Sequence, residues 1–399
     1  MIDEKLINDK IRGSLMAGAA GDALGYEVEF KSLQKIHSIY GEKGITEFKL
    51  DENGKALISD DTQMTLFTAN GMLMGITRGV IRGVGGSPEY YVQFAYQDWY
   101  HTQMGKPREW NPYTWLYSLP ELEYSRAPGV TCLKACKAII DRRAVENNSK
   151  GCGGVMRVAP LALLLAGYQV RKGRCPYTIE EMAVAGGVIA ECTHKHPLGY
   201  MPAALLTMLI YKVALLPTEE AVQNIGRIVW ECIYMLEKVY TSENLREHLR
   251  ELCELSHLAL QLANSDCTDQ EAFSRLGEGW TGDEAVAIAL YCVVRHIDSV
   301  EGAIIASVNH DGDSDSTGSI TGNIMGAIYG YEYIKRRNIF CPDGCELEKT
   351  LELSEIILTI ADDLTTSCIL HTYDELDTPA KRQWNARYVD NEPAGIGHK

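Results

Sequence analysis

Several features that this 399-residue chain lacks exclude whole classes of protein. It carries 38 basic residues against 54 acidic ones, a net charge of −16, so it lacks the excess of basic charge that attracts nucleic-acid backbones. It has no run of about 18 apolar residues that would span a membrane, and its first residues lack the apolar core of a secretory signal. We therefore expect a protein that neither binds nucleic acid passively nor enters a membrane.

The sequence also gives no sign of a disulfide framework. Its twelve cysteines are scattered, and several, such as Cys132 and Cys192, lie inside apolar stretches. Such cysteines are typical of free thiols in a reducing compartment, so we expect a cytoplasmic protein. The close pair Cys341 and Cys345 has no second pair of cysteines or histidines that would complete a zinc site.

Alternating strand patterns are scarce, whereas helical periodicity is frequent. Apolar residues recur at three- and four-residue spacings in eleven segments: 8–24, 62–79, 129–148, 155–169, 179–195, 201–215, 219–239, 243–264, 283–297, 317–336 and 348–366. In residues 45–58, two alternating runs flank Asn53-Gly54, a dipeptide typical of tight hairpins. We therefore predict an all-α fold, a compact multi-helix domain with one small β-hairpin.

No linker and no block of charge divides the chain. We predict one domain over residues 1–373 and a loosely held C-terminal tail over 374–399, where the periodicity is lost. The least regular internal stretch is 81–129, which is rich in Gly, Pro, Trp and Tyr. Long irregular stretches in compact domains are often functional, so this one is a candidate for recognising the substrate.

Two of the predicted helices carry a small residue at every fourth position. These are Gly13, Ala17 and Gly21 in the first, and Gly318, Gly322, Gly326 and Gly330 in the second. Each glycine costs a helix about 1 kcal/mol relative to alanine. We infer that backbones must approach closely at these helices, which places the loop before residue 318 deep in the structure.

Two short acidic motifs each stand directly before a predicted helix. The first, Ser59-Asp60-Asp61-Thr62, is by itself typical of a helix N-cap. The second, residues 310–317, carries three alternating acids. That is more than a cap needs, and their mutual repulsion indicates a cation among them. A calcium EF-hand loop is excluded, because its sixth position would be Ser316 and its twelfth Gly322.

Two interpretations of the second motif stay open. Residues 313–317 fit the Asp-x-Asp-x-Thr pattern of haloacid dehalogenase-type phosphatases, which would make Asp313 a nucleophile. That family, however, places its nucleophile after a buried strand near the start of a parallel sheet. Alternatively, both acidic motifs share one site for two hard cations about 3.5–4 Å apart. With Glu29 included, five carboxylates would face four positive charges.

The motifs in their order resemble those of the ADP-ribosylglycohydrolase family, which includes the ADP-ribosyl-acceptor hydrolases and the dinitrogenase reductase-activating enzymes. The resemblance covers nearly the whole chain. It runs through residues 12–15, 21–25, 29–30, 59–62, 126–129, 151–160, 193–197 and 312–316. Each motif alone is weak, but all of them in the family's order form a specific pattern.

The resemblance implies a compact all-α fold with two Mg²⁺ or Mn²⁺ ions in a cleft. The implied metal ligands are Ser59, Asp60, Asp61, Asp313, Asp315 and Ser316. The implied catalytic acids are Glu29, which lies over the metals in the family, and Asp60 or Asp315, either of which would be the general base. The implied substrate-binding residues are Arg126, Gly129, Ser149, Cys152, Gly153, Met156 and His194. Cys152 stands where the family usually has Asn, and Ser316 where it usually has Thr.

The activity that the resemblance implies is hydrolysis of the glycosidic bond between ADP-ribose and an acceptor, which releases ADP-ribose. The acceptor would belong to an ADP-ribosylated protein, with arginine linkage favoured, or to a small molecule, and we expect a monomer. Two alternatives remain: the phosphoesterase that uses Asp313, and a non-catalytic ADP-ribose-binding relative. The complete set of implied metal ligands disfavours the second alternative.

Overall fold

The computed structural model describes residues 2–83, 87–107, 109–367 and 377–390, and helices dominate these ranges. The described α-helices are numbered in chain order: α1 Glu4–Tyr26, α2 Leu33–Tyr40, α3 Asp60–Arg82, α4 Pro88–Met104, α5 Val130–Ile140, α6 Ala159–Lys172, α7 Ile179–Glu191, α8 Pro197–Ala214, α9 Thr218–Val239, α10 Arg246–Ala263, α11 Asp269–Leu276, α12 Gly282–Arg295, α13 Val300–Val308, α14 Ser314–Tyr329, α15 Tyr331–Arg337, α16 Leu347–Thr350, α17 Ser354–Thr366 and α18 Pro379–Tyr388. Short 3-10 helices lie at Trp115–Ser118, Pro120–Leu122, Cys152–Gly154 and Glu243–Leu245. The predicted all-α class is confirmed.

The predicted hairpin over residues 45–58 is wrong. The tight turn forms, since the Asp51 amide donates to the Lys55 carbonyl at 2.8 Å, but no ladder follows it. Ala56 instead forms an isolated parallel bridge with Leu351. The Asn-Gly dipeptide determines the local turn. The segment after the turn, however, pairs with residues almost 300 positions away in the sequence.

The parallel sheet that the phosphoesterase alternative requires is not found in the described part of the chain. Its extended pairing is limited to two isolated bridges, Ala56–Leu351 and Gly151–Thr281. Asp313 lies at the start of a helix and not after a buried strand. The fold therefore gives the phosphoesterase alternative no support.

Helices α1 and α14 pack backbone against backbone, as their small residues predict. A Cβ atom added at Gly21 would lie 2.1 Å from the carbonyl oxygen of Gly318, and one at Gly322 would lie 2.1 Å from that of Ala17. Real Cβ contacts are almost never shorter than 3.0 Å. The two helices can therefore meet only where side chains are missing or very small.

This close contact extends to the acidic motif at the start of α14. A Cβ atom at Gly25, in the last turn of α1, would lie 2.2 Å from the carbonyl oxygen of Ser314. The chain leaves α1 a few residues later and reaches Glu29. The glycine contact thereby brings Glu29 to the acids at the start of α14, although almost 300 residues separate them in sequence.

The last described segment differs from the loosely held tail that the sequence suggested. Residues 379–388 form α18, in which Trp384 is fully buried. Its indole nitrogen donates to Thr77 Oγ1 at 2.9 Å, and the Tyr388 hydroxyl donates to Asp363 Oδ2 at 2.7 Å. The rest of the predicted tail, residues 374–376 and 391–399, lies outside the described residues.

Two helical stretches are long and apolar enough to cross a membrane by length and composition alone. They are Cys152–Lys172 and Pro197–Ala214, and 78% of the apolar window of each is buried inside the protein. Core helices of soluble proteins pass the same test, so these stretches are weak indications of a membrane span. The sequence contains no uninterrupted apolar run of about 18 residues, yet these two stretches reach the mean hydropathy of a membrane span.

The α1–α14 contact gives a stability prediction with a matched control. We expect Gly322→Ala to destabilise the protein by roughly 1–3 kcal/mol, because the new methyl group would overlap the α1 backbone. Gly226→Ala, in α9, places its methyl group in open space. That variant should gain up to about 1 kcal/mol from helix propensity. Urea denaturation midpoints would measure both, and an unchanged or higher midpoint for Gly322→Ala would contradict the packing argument.

Candidate metal centre and substrate cleft

A cleft of about 330 Å³ opens where several chain segments meet. Its walls come from the loop after α1, the start of α3, the turn leading into α5, the Gly151–Met156 loop and the start of α14. These segments contain most of the site residues that the sequence predicts. The fold thus brings the two acidic motifs and the two glycine-containing loops to one place.

Both acidic motifs cap helices and also line the cleft. Ser59 is the N-cap of α3, and its hydroxyl accepts a hydrogen bond from the Asp61 amide. Asp313 is the N-cap of α14, and its carboxylate accepts one from the Ser316 amide. Asp60, Asp61, Asp313, Asp315 and Ser316 all belong to the cleft wall. The capping interpretation and the ligand interpretation therefore coincide at Asp313, whereas Ser59, also a predicted ligand, is fully buried and is not part of the cleft wall.

Asp22 positions the first motif, a role that the sequence argument missed. It is fully buried in α1, and its carboxylate accepts hydrogen bonds from the Ser59 amide at 2.9 Å and the Thr62 amide at 3.0 Å. The Thr62 hydroxyl donates to it as well. Asp22 therefore ties α1 to the start of α3. In the sequence, this role was indicated by a single acid among the small residues in the second half of α1.

The acids of the cleft lie close together, and within the described ranges none of them forms a salt bridge. Oxygen atoms of Glu29, Asp313 and Asp315 all lie within 4.8 Å of one another. Burial, reinforced by the charge of Asp315, raises the pKa of Glu29 to about 10. The same two causes raise the pKa values of Asp60, Asp61 and Asp313 well above their usual range. Such a cluster holds protons unless a cation offsets its charge.

This donor set fits a hard divalent cation. Glu29 Oε2 and Asp61 Oδ2 are buried acceptors with no hydrogen-bond partner among the described residues. Carboxylate and hydroxyl oxygens are the ligands that Mg²⁺ and Mn²⁺ prefer. A cation between the motifs would satisfy these oxygens and relieve the repulsion that raises the pKa values of the acids.

Backbone groups at the start of α5 and around Gly153 form another part of the cleft wall, which touches the acids where the Gly129 amide donates to Asp60 Oδ2 at 3.3 Å. Helix α5 begins at Val130 after Gly129 and has no side-chain cap, so its first amides remain available to an anion. A Cβ atom at Gly153 would lie 3.0 Å from Cys132 Sγ and 3.1 Å from His194 Cε1. This part of the wall therefore combines helix amides with a close-fitting glycine loop.

Two predicted substrate-binding residues do not line the cleft. The Arg126 guanidinium donates to Glu352 Oε1 at 2.8 Å, and the Arg126 carbonyl accepts from the Asp60 amide at 2.9 Å. The Ser149 hydroxyl accepts from the Gly151 amide at 3.3 Å. Both residues hold a loop of the cleft in position, and neither is part of its wall.

The other predicted substrate-binding residues do line the cleft. Met156 and His194 are buried in its wall. Burial and the nearby Arg157 guanidinium lower the pKa of His194 to about 3, and its Nδ1 lies 2.9 Å from Thr193 Oγ1. His194 is therefore neutral at physiological pH, where it can donate or accept a hydrogen bond.

An aromatic pair at the cleft was not predicted. The rings of Phe30 and Trp280 stack with centroids 5.4 Å apart and an interplanar angle of 20°, and both line the cleft. Phe30 is 71% exposed and has a φ of 61°, a left-handed conformation that is unusual for a bulky residue. Its neighbour is Glu29, so the pair lies beside the acids. No pattern in the sequence linked Phe30 with Trp280.

The comparisons with known proteins agree on one family. The model of the ADP-ribosylglycohydrolase family matches residues 3–371. The human ADP-ribosylhydrolase ARH3 is 24% identical over 226 residues, which cover 50% of this chain and 56% of that protein. The chain thus matches little more than half the length of that relative. The ADP-ribosyl-(dinitrogen reductase) glycohydrolase of Rhodospirillum rubrum is 23% identical over 337 residues, covering 82% of this chain and 88% of that protein.

A solved structure supports the fold independently. An ADP-ribosylglycohydrolase-related protein complex aligns with a TM-score of 0.54 at 19% identity, covering 92% of this chain and 100% of that one. At this identity the likeness bears on the fold alone. Because the family model covers nearly the whole chain and the acidic motifs occur in the family's order, the chain belongs to the ADP-ribosylglycohydrolase family.

Proposed function

We propose that the protein hydrolyses the glycosidic bond between ADP-ribose and an acceptor, with two divalent cations, Mg²⁺ or Mn²⁺, as cofactors. The observation that carries the proposal is the joining of five carboxylates and two glycine-containing loops in one cleft. The names of the relatives, an ADP-ribosylhydrolase and an ADP-ribosyl-(dinitrogen reductase) glycohydrolase, agree with it.

The cations would be held by the oxygens of both acidic motifs. The proposed ligands are Ser59, Asp60, Asp61, Asp313, Asp315 and Ser316. When bound, the cations would act as Lewis acids and would hold the ribose hydroxyls in position. The buried, partnerless oxygen of Asp61 supports this assignment.

The cleft residues have complementary tasks in the proposed reaction. Amides at the start of α5 and around Gly153 bind the diphosphate, as helix N-termini do for other anions. This orientation directs the anomeric carbon toward the acids. Positive charge develops on the ribose as the bond to the acceptor breaks. Asp315 or Asp60 accepts a proton from the attacking water.

Glu29 is proposed to control access to the reacting centre. Its carboxylate lies with those of Asp313 and Asp315, so an incoming ribose competes with it for space. The residue after it, Phe30, has left-handed backbone geometry, which costs energy in a bulky residue. Movement of this short loop would relieve that strain as substrate enters.

The aromatic pair supports an acceptor that is planar and cationic, as the guanidinium of ADP-ribosylated arginine is. A guanidinium stacks on an aromatic face through cation–π attraction. The pair lies beside the acids of the cleft, and the Trp280 indole nitrogen donates to Glu278 Oε2 at 3.0 Å. An added carboxylate beside the rings favours a cation over a neutral hydroxyl. We therefore propose arginine-linked ADP-ribose as the substrate.

The metal-dependent mechanism predicts that Asp313→Asn and Asp60→Asn lose cation binding and hydrolysis together. Each change removes a negative charge at the proposed ligands, so we expect turnover to fall by roughly 100-fold or more. Release of ADP-ribose would be measured with Mg²⁺, Mn²⁺ or EDTA, and Mn²⁺ binding by calorimetry.

Asp311→Asn is the matched control for those two variants. Asp311 belongs to the same acidic motif, but it is exposed, and its carboxylate accepts from the Leu33 amide outside the cleft. It should retain activity within about two-fold. Full activity of Asp313→Asn would contradict the mechanism, and ADP-ribose binding by the wild type without any turnover would favour the non-catalytic alternative.

The acceptor assignment predicts a selective effect of Phe30→Ala and Trp280→Ala. Loss of a cation–π contact of about 0.5–2 kcal/mol should raise KM for an arginine-linked substrate by roughly 2- to 30-fold. A serine-linked substrate should be affected much less. Trp230→Ala is the control, because Trp230 stacks on Tyr234 with centroids 5.6 Å apart in α9, away from the cleft. Equal losses on both substrates would refute recognition of a cation by the pair.

A further inference from the structure

We propose that Cys152 supplies a sulfur ligand to the divalent-cation centre, so that the centre binds thiophilic cations such as Co²⁺, Zn²⁺ and Cd²⁺ through one sulfur and several oxygens. The inference rests on the metal centre of the proposed function. It adds a donor of a different chemical class to an otherwise all-oxygen set.

The sulfur of Cys152 lies directly against the proposed oxygen ligands. Cys152 Sγ donates to Asp313 Oδ2 at 2.7 Å, and the Ser316 hydroxyl lies 3.5 Å from the same sulfur. Cys152 also belongs to the wall of the cleft. A cation bound by Asp313 and Ser316 would therefore lie within reach of the thiol.

The backbone fixes this sulfur relative to the carboxylate. The Cys152 amide donates to the Trp280 carbonyl at 3.2 Å, and the Asp313 amide donates to the Glu278 carbonyl at 2.9 Å. One short segment, residues 278–280, thus anchors both the loop that carries the thiol and the start of α14. The contact between sulfur and carboxylate is therefore built into the fold.

An independent feature indicates a ligand on the same side of the cleft. Asp61 is only 2% exposed, and its Oδ2 atom has no hydrogen-bond partner among the described residues. Asp61 lines the same cleft as Cys152 and Asp313. A cation bound in this cleft would satisfy the buried oxygen of Asp61.

The chemistry of the step is ligand exchange with loss of a proton. Thiolate sulfur favours softer cations than carboxylate oxygen does. On binding, the Cys152 S–H bond breaks, its proton passes to solvent, and the sulfur lone pair forms the bond to the metal. No electron is transferred.

Cys132 provides a control within the same cleft. Its sulfur also lies in the wall, but it faces the Arg157 guanidinium, whose Nη1 is 3.5 Å away. A sulfur beside a fixed positive charge is a poor site for a second cation. The eleven cysteines that the structure describes are all free thiols, so the assignment must also be tested against the close pair Cys341 and Cys345.

The test is titration of the metal-free full-length protein with Co²⁺, followed by sulfur-to-cobalt charge-transfer absorption. We expect the band in the wild type and in Cys132→Ser. Cys152→Ser and Cys152→Asn should lack it, and they should bind Co²⁺ roughly 10-fold or more weakly. Circular dichroism would establish that each variant is folded, and calorimetry with Mn²⁺ would report on the oxygen ligands separately.

Three results would overturn the inference, and each has a distinct meaning. Co²⁺ binding without the band in the wild type would exclude Cys152 as a ligand and leave the proposed metal centre intact. A band that persists in Cys152→Ser but disappears in Cys341→Ser would assign the sulfur to that other pair. Absence of both Mn²⁺ and Co²⁺ binding would remove the proposed metal centre itself, and the inference with it.

Discussion

The backbone contact between α1 and α14 is the constraint on which the rest of the molecule depends. Glycine and alanine on both helices bring carbonyl oxygens to distances that a larger side chain would forbid. Helix α1 also contacts both of the segments that carry the acidic motifs. Its last turn touches the start of α14 at Ser314, and Asp22 accepts the first amides of α3. One helix thus sets the distance between two motifs that are more than 200 residues apart.

That rigidity matters because the groups it brings together repel one another. Five carboxylates lie at or near one cleft, and burial raises the pKa values of most of them. A flexible scaffold would let them separate into water. Helix caps, the buried Asp22 and the glycine contact prevent this separation, so the acids stay together where, under the proposed function, divalent cations would bind.

The cleft wall combines groups of two kinds. Helix amides and a glycine loop suit an anion such as a diphosphate. The acids, the rings of Phe30 and Trp280 and the thiol of Cys152 suit a cation. Under the proposed function, Cys152 and the aromatic pair are the features through which this chain would select its cation and its acceptor.

The sequence predicts the helical class, close backbone contacts at α1 and at α14, and the residues of the two acidic motifs. Periodicity, glycine spacing and motif order are local signals, and each reports burial or backbone geometry directly. It did not determine that residues 45–58 would pair with the segment near Leu351 and form no hairpin, or that Arg126 would bond to Glu352 outside the cleft wall. It also missed the task of Asp22, the stacking of Phe30 on Trp280 and the burial of Trp384. These features became visible only in the folded structure, because each depends on which distant segment supplies the partner. A local pattern indicates that a side chain is buried but not which residues it packs against.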